Sequence, residues 1–169
     1  MKALIISADN FEDSELLYPY YRFREEGIET DIASMKAGPI KGKHGYEIEA
    51  NKSLSEINAG DYDFLLLPGG KAPEQVRKEQ TAHEIARYFF ENEKPVFAIC
   101  HGPQTLISAG LIKGRRATSY KSVAGEMKEA GVLYEDKEVV TDGNLVTSRE
   151  PSDLPVFMRE IMKMIKQRA

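Results

Sequence analysis

The chain is poor in the residues that build disulfide frameworks and metal centres. Its 169 residues include one cysteine, three histidines and no tryptophan. A single cysteine cannot form an intramolecular disulfide, and the scattered histidines lack the spacing typical of a zinc site. We therefore expect no disulfide, no metal and no cofactor.

The sequence also lacks long apolar runs and any excess of positive charge. No run approaches the ~20 apolar residues needed to span a bilayer, and 23 basic against 27 acidic residues give a net charge of −4. Clusters of Lys and Arg, the mark of nucleic-acid binding, are absent. The first residues resemble a strand rather than an export signal. These features predict a cytoplasmic protein that binds neither nucleic acid nor membrane.

Short apolar runs alternate with longer amphipathic segments, and this alternation is typical of a parallel sheet covered by helices. Hydrophobic residues make up 41% and charged residues 30%, which fits one folded domain over residues 1–169. Residues 38–50, rich in glycine, predict a short antiparallel excursion. The main strands are predicted at residues 3–8, 29–34, 64–67 and 96–99, with a hairpin formed by 138–141 and 145–147.

Three loops should meet at the carboxyl ends of the buried strands, where open α/β sheets bind their ligands. They span residues 9–13, 68–74 and 100–103. These loops carry the polar and glycine residues of one predicted cleft: Asp9, Glu12, Asp13, Gly69, Gly70, Glu74, Cys100 and His101.

The segment Ala98-Ile99-Cys100-His101-Gly102 has the form of a nucleophile elbow, a tight strand-to-helix turn that needs small neighbours two residues before and after the reactive side chain. A thiol at a helix N-terminus is expected to favour the nucleophilic thiolate. A cysteine that ends an apolar strand is otherwise a buried small hydrophobe. The elbow pattern and the adjoining His101 favour a reactive Cys100.

The neighbouring residues leave alternatives open. Pro68-Gly69-Gly70 either aims a backbone N–H at the thiol, as an oxyanion hole requires, or forms a plain tight turn. Glu12 either hydrogen-bonds the thiol or caps the helix beside it, and an ionised Glu12 would oppose thiolate formation. His101 either acts in the chemistry or begins a helix with its ring in solvent.

Three segments together carry a resemblance to a known family: Ala98-Ile99-Cys100-His101-Gly102-Pro103, Leu67-Pro68-Gly69-Gly70 and Phe11-Glu12-Asp13. With them the chain resembles the PfpI/ThiJ superfamily, and most closely its PfpI intracellular-protease branch, over residues 2–166. The resemblance implies a flavodoxin-like three-layer sandwich, with a mostly parallel sheet and helices on both faces.

The resemblance also implies roles for individual residues. Cys100 would be the nucleophile with Glu12 beside it, and His101 would take part in catalysis. Glu74 would orient His101 from a neighbouring subunit. The amides of Gly70 and His101 would form the oxyanion hole.

By the same match, Tyr120 would line the substrate pocket. The branch resembles homodimers that assemble further into hexamers, so the protein is expected to bind copies of itself. Its members are described as peptidases, and as glyoxalases or deglycases that convert methylglyoxal or its adducts through a cysteine hemithioacetal. Both chemistries use an activated thiol and an oxyanion donor.

The expected function is therefore that of a cysteine hydrolase acting on small carbonyl compounds or peptides. A non-enzymatic alternative is a redox sensor or chaperone in which Cys100 is oxidised.

Overall fold

The computed structural model describes residues 1–169 and is built around a central β-sheet. The strands are β1 (Lys2–Ile6), β2 (Glu29–Ser34), β3 (Gly38–Lys41), β4 (Glu47–Ala50), β5 (Lys52–Ser53), β6 (Phe64–Leu67), β7 (Val96–Ile99), β8 (Arg116–Ala117), β9 (Leu133–Tyr134), β10 (Val139–Asp142) and β11 (Leu145–Ser148). The helices are α1 (Asp13–Glu25), α2 (Ala72–Val76), α3 (Gln80–Glu91), α4 (Pro103–Ser108), α5 (Ala124–Glu129) and α6 (Leu154–Arg168).

The central sheet has seven strands in the order β10-β11-β7-β6-β1-β2-β5. Every neighbouring pair is parallel except β10 with β11, which form the predicted hairpin. From β1 the chain first runs outward to β2 and later returns to β6 on the opposite side of β1. The loops that follow β1 and β6 therefore diverge, and they open a crevice at the carboxyl edge of the sheet.

Helices on both faces of the sheet complete the predicted sandwich. Strands β6 and β7 are buried throughout, as their unbroken apolar sequences indicate. Phe23 of α1 packs edge-on against Phe64, with ring centroids 5.0 Å apart, and Phe64 contacts Phe97 at 5.6 Å. The α/β fold with a mostly parallel sheet is confirmed. None of the helices combines the length and apolar character needed to cross a bilayer.

A separate antiparallel hairpin, β3–β4, is fastened by its tip to the start of α1. The Asp13 carboxylate accepts the backbone N–H of His44 at 3.0 Å and that of Tyr46 at 3.1 Å. The backbone of Lys43 donates to the carbonyl of Phe11 at 2.9 Å. The predicted excursion is thus present, and its docking brings Lys43 to the carboxyl edge of the sheet.

Candidate active site

Cys100 lies on a strained turn between β7 and α4. Its φ of 63° is in the left-handed region, which costs a non-glycine residue about 1–3 kcal/mol and is held only where the surroundings enforce it. The Cys100 N–H donates to Ser148 O at 3.0 Å, and its carbonyl accepts the Tyr120 N–H at 3.0 Å. A Cβ on Gly102 would lie 2.2 Å from Leu67 O, so the turn requires glycine there. The close approach of Leu67 O to Gly102 explains why the elbow pattern has a small residue two positions after Cys100.

Backbone donors converge on the sulfur, while its burial opposes ionisation. The N–H groups of Gly70 and His101 both hydrogen-bond to Cys100. Cys100 is nevertheless only 7% exposed, and burial followed by the nearby charge of Glu15 raises the pKa of the thiol above its usual value. The expectation that the helix N-terminus favours the thiolate is corrected, because desolvation outweighs the backbone donors.

The carboxyl group in contact with the thiol belongs to Glu15, in the first turn of α1. Glu15 is fully buried, and its Oε1 accepts the Gly69 N–H at 2.9 Å. Its Oε2 is buried without a nitrogen or oxygen partner, and the carboxyl contacts Cys100. Burial raises the pKa of Glu15 to about 8, so the group is mainly protonated at neutral pH. While it is protonated, Glu15 does not repel a thiolate and has a proton to donate. Its charge opposes ionisation of the thiol only once the carboxyl itself has ionised, at about pH 8 and above.

Glycine at position 69 makes room for this contact. A Cβ there would lie 2.6 Å from Glu15 Oε1 and 2.8 Å from Cys100 Cβ. Gly69 therefore permits a close approach of the carboxyl group, the thiol and the backbone that a larger residue would block.

Glu12 lines the same cavity but does not face the thiol. Its carboxylate pairs with Lys43 Nζ at 2.7 Å and approaches His44 Nε2 at 3.4 Å. Glu12 occupies the N-cap position of α1, yet its side chain makes no capping hydrogen bond. Glu12 lies at the end of the helix beside the hairpin tip, and its carboxylate contacts Lys43 and His44 of that tip. The expected neighbour of the thiol is therefore corrected from Glu12 to Glu15.

His101 is held on three sides. Its Nδ1 lies 3.2 Å from Cys100 Sγ, and its Nε2 lies 3.4 Å from Ser122 Oγ. The ring stacks on Tyr120, with centroids 5.3 Å apart and an interplanar angle of 27°. Burial, with help from the charge of Lys43, lowers the pKa of the imidazole. A neutral imidazole in contact with a thiol is suited to accept its proton.

Glu74, on α2, is exposed and lines the cavity of its own chain. It acts on His101 through charge, which raises the pKa of the imidazole, and makes no hydrogen bond to that ring. Asp9 and Asp13, predicted in the same cleft, instead anchor the β3–β4 hairpin, since Asp9 Oδ1 accepts the Lys41 N–H at 2.9 Å.

These groups surround a cavity of about 460 Å³. It draws residues from all three predicted loops and also from α1, the hairpin tip and the segments that follow β8 and β11. The lining residues are Glu12, Glu15, Lys43, Gly70, Lys71, Glu74, Cys100, His101, Tyr120, Glu150 and Pro151. No group of His, Cys, Asp and Glu side chains is arranged to hold a metal ion.

Sequence reasoning missed Glu15 and Lys43. A signal for Glu15 exists, because Leu16, Pro19 and Phe23 mark the buried face of α1 and Glu15 lies beside that stripe. Lys43 has no local signal, since its position depends on how the hairpin docks onto Asp13.

Fold and site together define the class: an α/β sandwich with a cysteine on a strained strand-to-helix turn at the carboxyl edge of its sheet. The chain matches the model of the DJ-1/PfpI family over residues 1–164, and it belongs to that family.

Relatives of known name support this assignment. The chain is 54% identical to deglycase PfpI of Pyrococcus furiosus. The match covers 98% of this chain and 100% of the relative. It is 43% identical to protein/nucleic acid deglycase 2 of Escherichia coli, over 97% of both chains. A solved two-domain protein of Anabaena variabilis, with DJ-1/ThiJ/PfpI-like and ferritin-like domains, superposes with a TM-score of 0.95 at 34% identity. The match covers 98% of this chain and 48% of that one.

Proposed function

We propose that the protein is a cysteine-dependent deglycase and glyoxalase that acts on methylglyoxal and its adducts with amines. The observation that carries the proposal is the buried Glu15 carboxyl, whose pKa is raised to about 8 beside the Cys100 thiol. Conversion of a 2-oxoaldehyde into a hydroxy acid needs a group that moves a proton between two neighbouring carbons. A carboxyl group with a pKa near the working pH is suited to that transfer.

The first step forms a carbon–sulfur bond. The thiol proton passes to His101 Nδ1, which lies 3.2 Å from Sγ, as the sulfur adds to the aldehyde carbon. In this proposal the N–H groups of Gly70 and His101, which both hydrogen-bond to Cys100, stabilise the oxyanion until Glu15 protonates it. With an amine adduct, the sulfur displaces the amine from the same carbon and the amine leaves with a proton. Both routes give one hemithioacetal.

The second stage is internal. The Glu15 carboxylate takes the proton from the former aldehyde carbon and returns it to the adjacent carbonyl carbon. The hydroxyl proton moves from the oxygen of the first carbon to the oxygen of the second, so the carbonyl group now lies on the carbon bonded to sulfur. The product is a thioester of lactate on Cys100, which water hydrolyses to lactate and the free thiol. Substrate and water supply every atom, and no external oxidant or reductant is needed.

The surroundings of Cys100 and Glu15 argue against two other functions, peroxide sensing and peptide hydrolysis. Peroxide sensing depends on an exposed thiolate, whereas burial raises the pKa of Cys100. A peptidase needs the nucleophile, the base and the oxyanion donors, but it has no step that uses a protonated carboxyl such as Glu15. The names of the relatives from Pyrococcus furiosus and Escherichia coli also support deglycase chemistry.

The test follows methylglyoxal loss and lactate formation with the parent protein, Cys100→Ser and Glu15→Gln, at matched oligomeric state. Glu84→Gln is the matched control, because Glu84 is an exposed carboxylate on α3 that does not line the cavity. We expect lactate from the parent and from Glu84→Gln, but not from the two site variants. Absence of lactate from the parent, or its undiminished formation by Cys100→Ser, would overturn the proposal.

A further inference from the structure

The charged groups that line the cavity beside the thiol divide into paired and unpaired ones. Glu12 and Lys43 neutralise each other through an ion pair at 2.7 Å. The pKa of Glu15 is raised to about 8, so this carboxyl group carries little charge at neutral pH. The other charged side chains of the lining form no salt bridge within the chain: Lys71, Glu74 and Glu150. One ammonium group and two carboxylates therefore set the charge that a ligand meets.

Glu150 follows β11 and precedes the short turn Pro151–Asp153. Its carbonyl oxygen accepts the Asp153 N–H at 2.9 Å, whereas its carboxylate makes no capping hydrogen bond. The adjacent Arg149 does not neutralise it, because that guanidinium pairs with Asp153 at 2.8 Å and with Asp136 at 3.1 Å. Glu150 is thus a half-buried carboxylate at the cavity wall without a partner of its own.

The balance of the unpaired charges is negative. Lys71 and Glu74 have opposite signs and are both exposed, so they offset each other and water screens them. Glu150 is less exposed than either, and its charge is left over. The same cavity contains an unsatisfied polar atom, since Oε2 of the fully buried Glu15 has no nitrogen or oxygen partner. The cavity is therefore arranged for a polar ligand, and its free charge favours a cationic one.

We propose that Glu150 is a specificity-determining residue that selects methylglyoxal adducts of positively charged amines, such as an adduct on a basic peptide. Its carboxylate attracts a cation that approaches Cys100 and repels an anion. The choice of substrate rests on the proposed function, but the charge selection acts on any reagent that reaches the thiol.

The first test compares two thiol reagents of opposite charge, a trimethylammonioethyl and a sulfonatoethyl methanethiosulfonate. Cys100 is the one cysteine of the chain, so both report on the same sulfur. The ratio of their rate constants cancels the intrinsic reactivity of the thiol. We expect the parent to react faster with the cation.

Glu150→Gln should lower this cation-to-anion ratio about 4- to 25-fold. One screened charge pair changes each rate about two- to fivefold, and the two reagents respond in opposite directions. Glu150→Lys should lower the ratio further, and Lys71→Gln should raise it. Glu84→Gln is the matched control, because it removes an exposed carboxylate outside the cavity and should leave the ratio unchanged.

The second test measures kcat/KM for methylglyoxal adducts of two peptides, each with a single lysine flanked by arginine in one peptide and by glutamate in the other. The parent should prefer the arginine-flanked adduct, and Glu150→Gln should reduce the preference mainly through KM. The preference should also weaken as ionic strength rises from about 0.05 M to about 0.5 M, because salt screens the carboxylate.

A cation-to-anion ratio in Glu150→Gln equal to that of the parent overturns the proposal. So does a parent that reacts faster with the anionic reagent, or a ratio that changes in Lys71→Gln alone. The thiol reagents need no turnover, so a failure of the proposed function is recognised separately, by the absence of lactate from every adduct.

Discussion

Replacing Glu15 by Gln should stabilise the protein, and the gain should grow with pH. The carboxyl has a pKa of about 8 in the folded chain against an ordinary value of 4.5. The folded state therefore binds this proton more tightly than the unfolded state between those two values. The free energy of unfolding falls as the pH rises through this interval. The folded state still holds a proton that the unfolded chain has released, and a higher pH favours the state that has released it.

The size of the effect follows from the shift. A difference of about 3.5 units, at 1.36 kcal/mol for each unit, gives about 5 kcal/mol once both states are ionised above pH 8. The same linkage gives about 3 kcal/mol at pH 7 and about 1 kcal/mol or less at pH 5. Glu15 is fully buried, so solvent screening reduces these figures little. Glutamine keeps the shape and an oxygen for the Gly69 N–H.

The assay is guanidinium unfolding of the parent and Glu15→Gln at pH 5, 7 and 8.5, at one protein concentration. Glu84→Gln is the control, because it removes an exposed carboxylate on α3 that does not line the cavity. We expect Glu84→Gln to show no comparable gain at high pH. A stability difference between Glu15→Gln and the parent that stays constant across this range would refute the reasoning.

Two further perturbations probe the elbow and the hairpin. Gly102→Ala places a Cβ 2.2 Å from Leu67 O and should lower the free energy of unfolding by about 1–3 kcal/mol; calorimetry at constant pH measures it, and an unchanged melting temperature would contradict the steric account of the elbow. Asp13→Ala removes the acceptor of the His44 and Tyr46 amides, and their hydrogen exchange should quicken by about tenfold, as expected for one lost hydrogen bond. Equal exchange in the two proteins would show that other contacts hold the tip.

The central fold follows from sequence because its signals are local. The strands over residues 29–34, 64–67 and 96–99 have the predicted limits. The runs over 64–67 and 96–99 are apolar throughout, which is typical of strands in a sheet covered on both faces. The Asp142-Gly143 pair likewise marks the hairpin between β10 and β11.

Local patterns failed where competing contacts decide the outcome. Thr81 and Glu84 have the spacing of a capping box, yet α3 begins at Gln80 with Glu79 as its N-cap and no side-chain cap. The capping box present in the chain is formed by Ser53 and Glu56. A motif of this kind fixes a helix start only when the backbone around it is free to adopt the capped geometry.

The parts of the candidate site also differ in whether local sequence patterns or contacts between distant segments determine their positions. The cysteine elbow and Gly70 lie on strand ends, and their meeting follows from the parallel sheet alone. Lys43 reaches the cavity through a hairpin whose docking rests on backbone hydrogen bonds to Asp13. Those bonds join parts of the chain about thirty residues apart, so the hydrophobic periodicity of the sequence cannot predict them.

Glu15 is the most informative of the missed residues, because its position carries a cost. A buried carboxyl with one partnered oxygen destabilises the folded chain above its ordinary pKa of 4.5. An apolar residue would pack there without that penalty, as Leu16 does on the next position of α1. Locally unfavourable residues that persist in a well-packed fold are concentrated at functional sites. The cost of Glu15 is thus an argument, independent of any relative, that the proton it holds beside Cys100 is used.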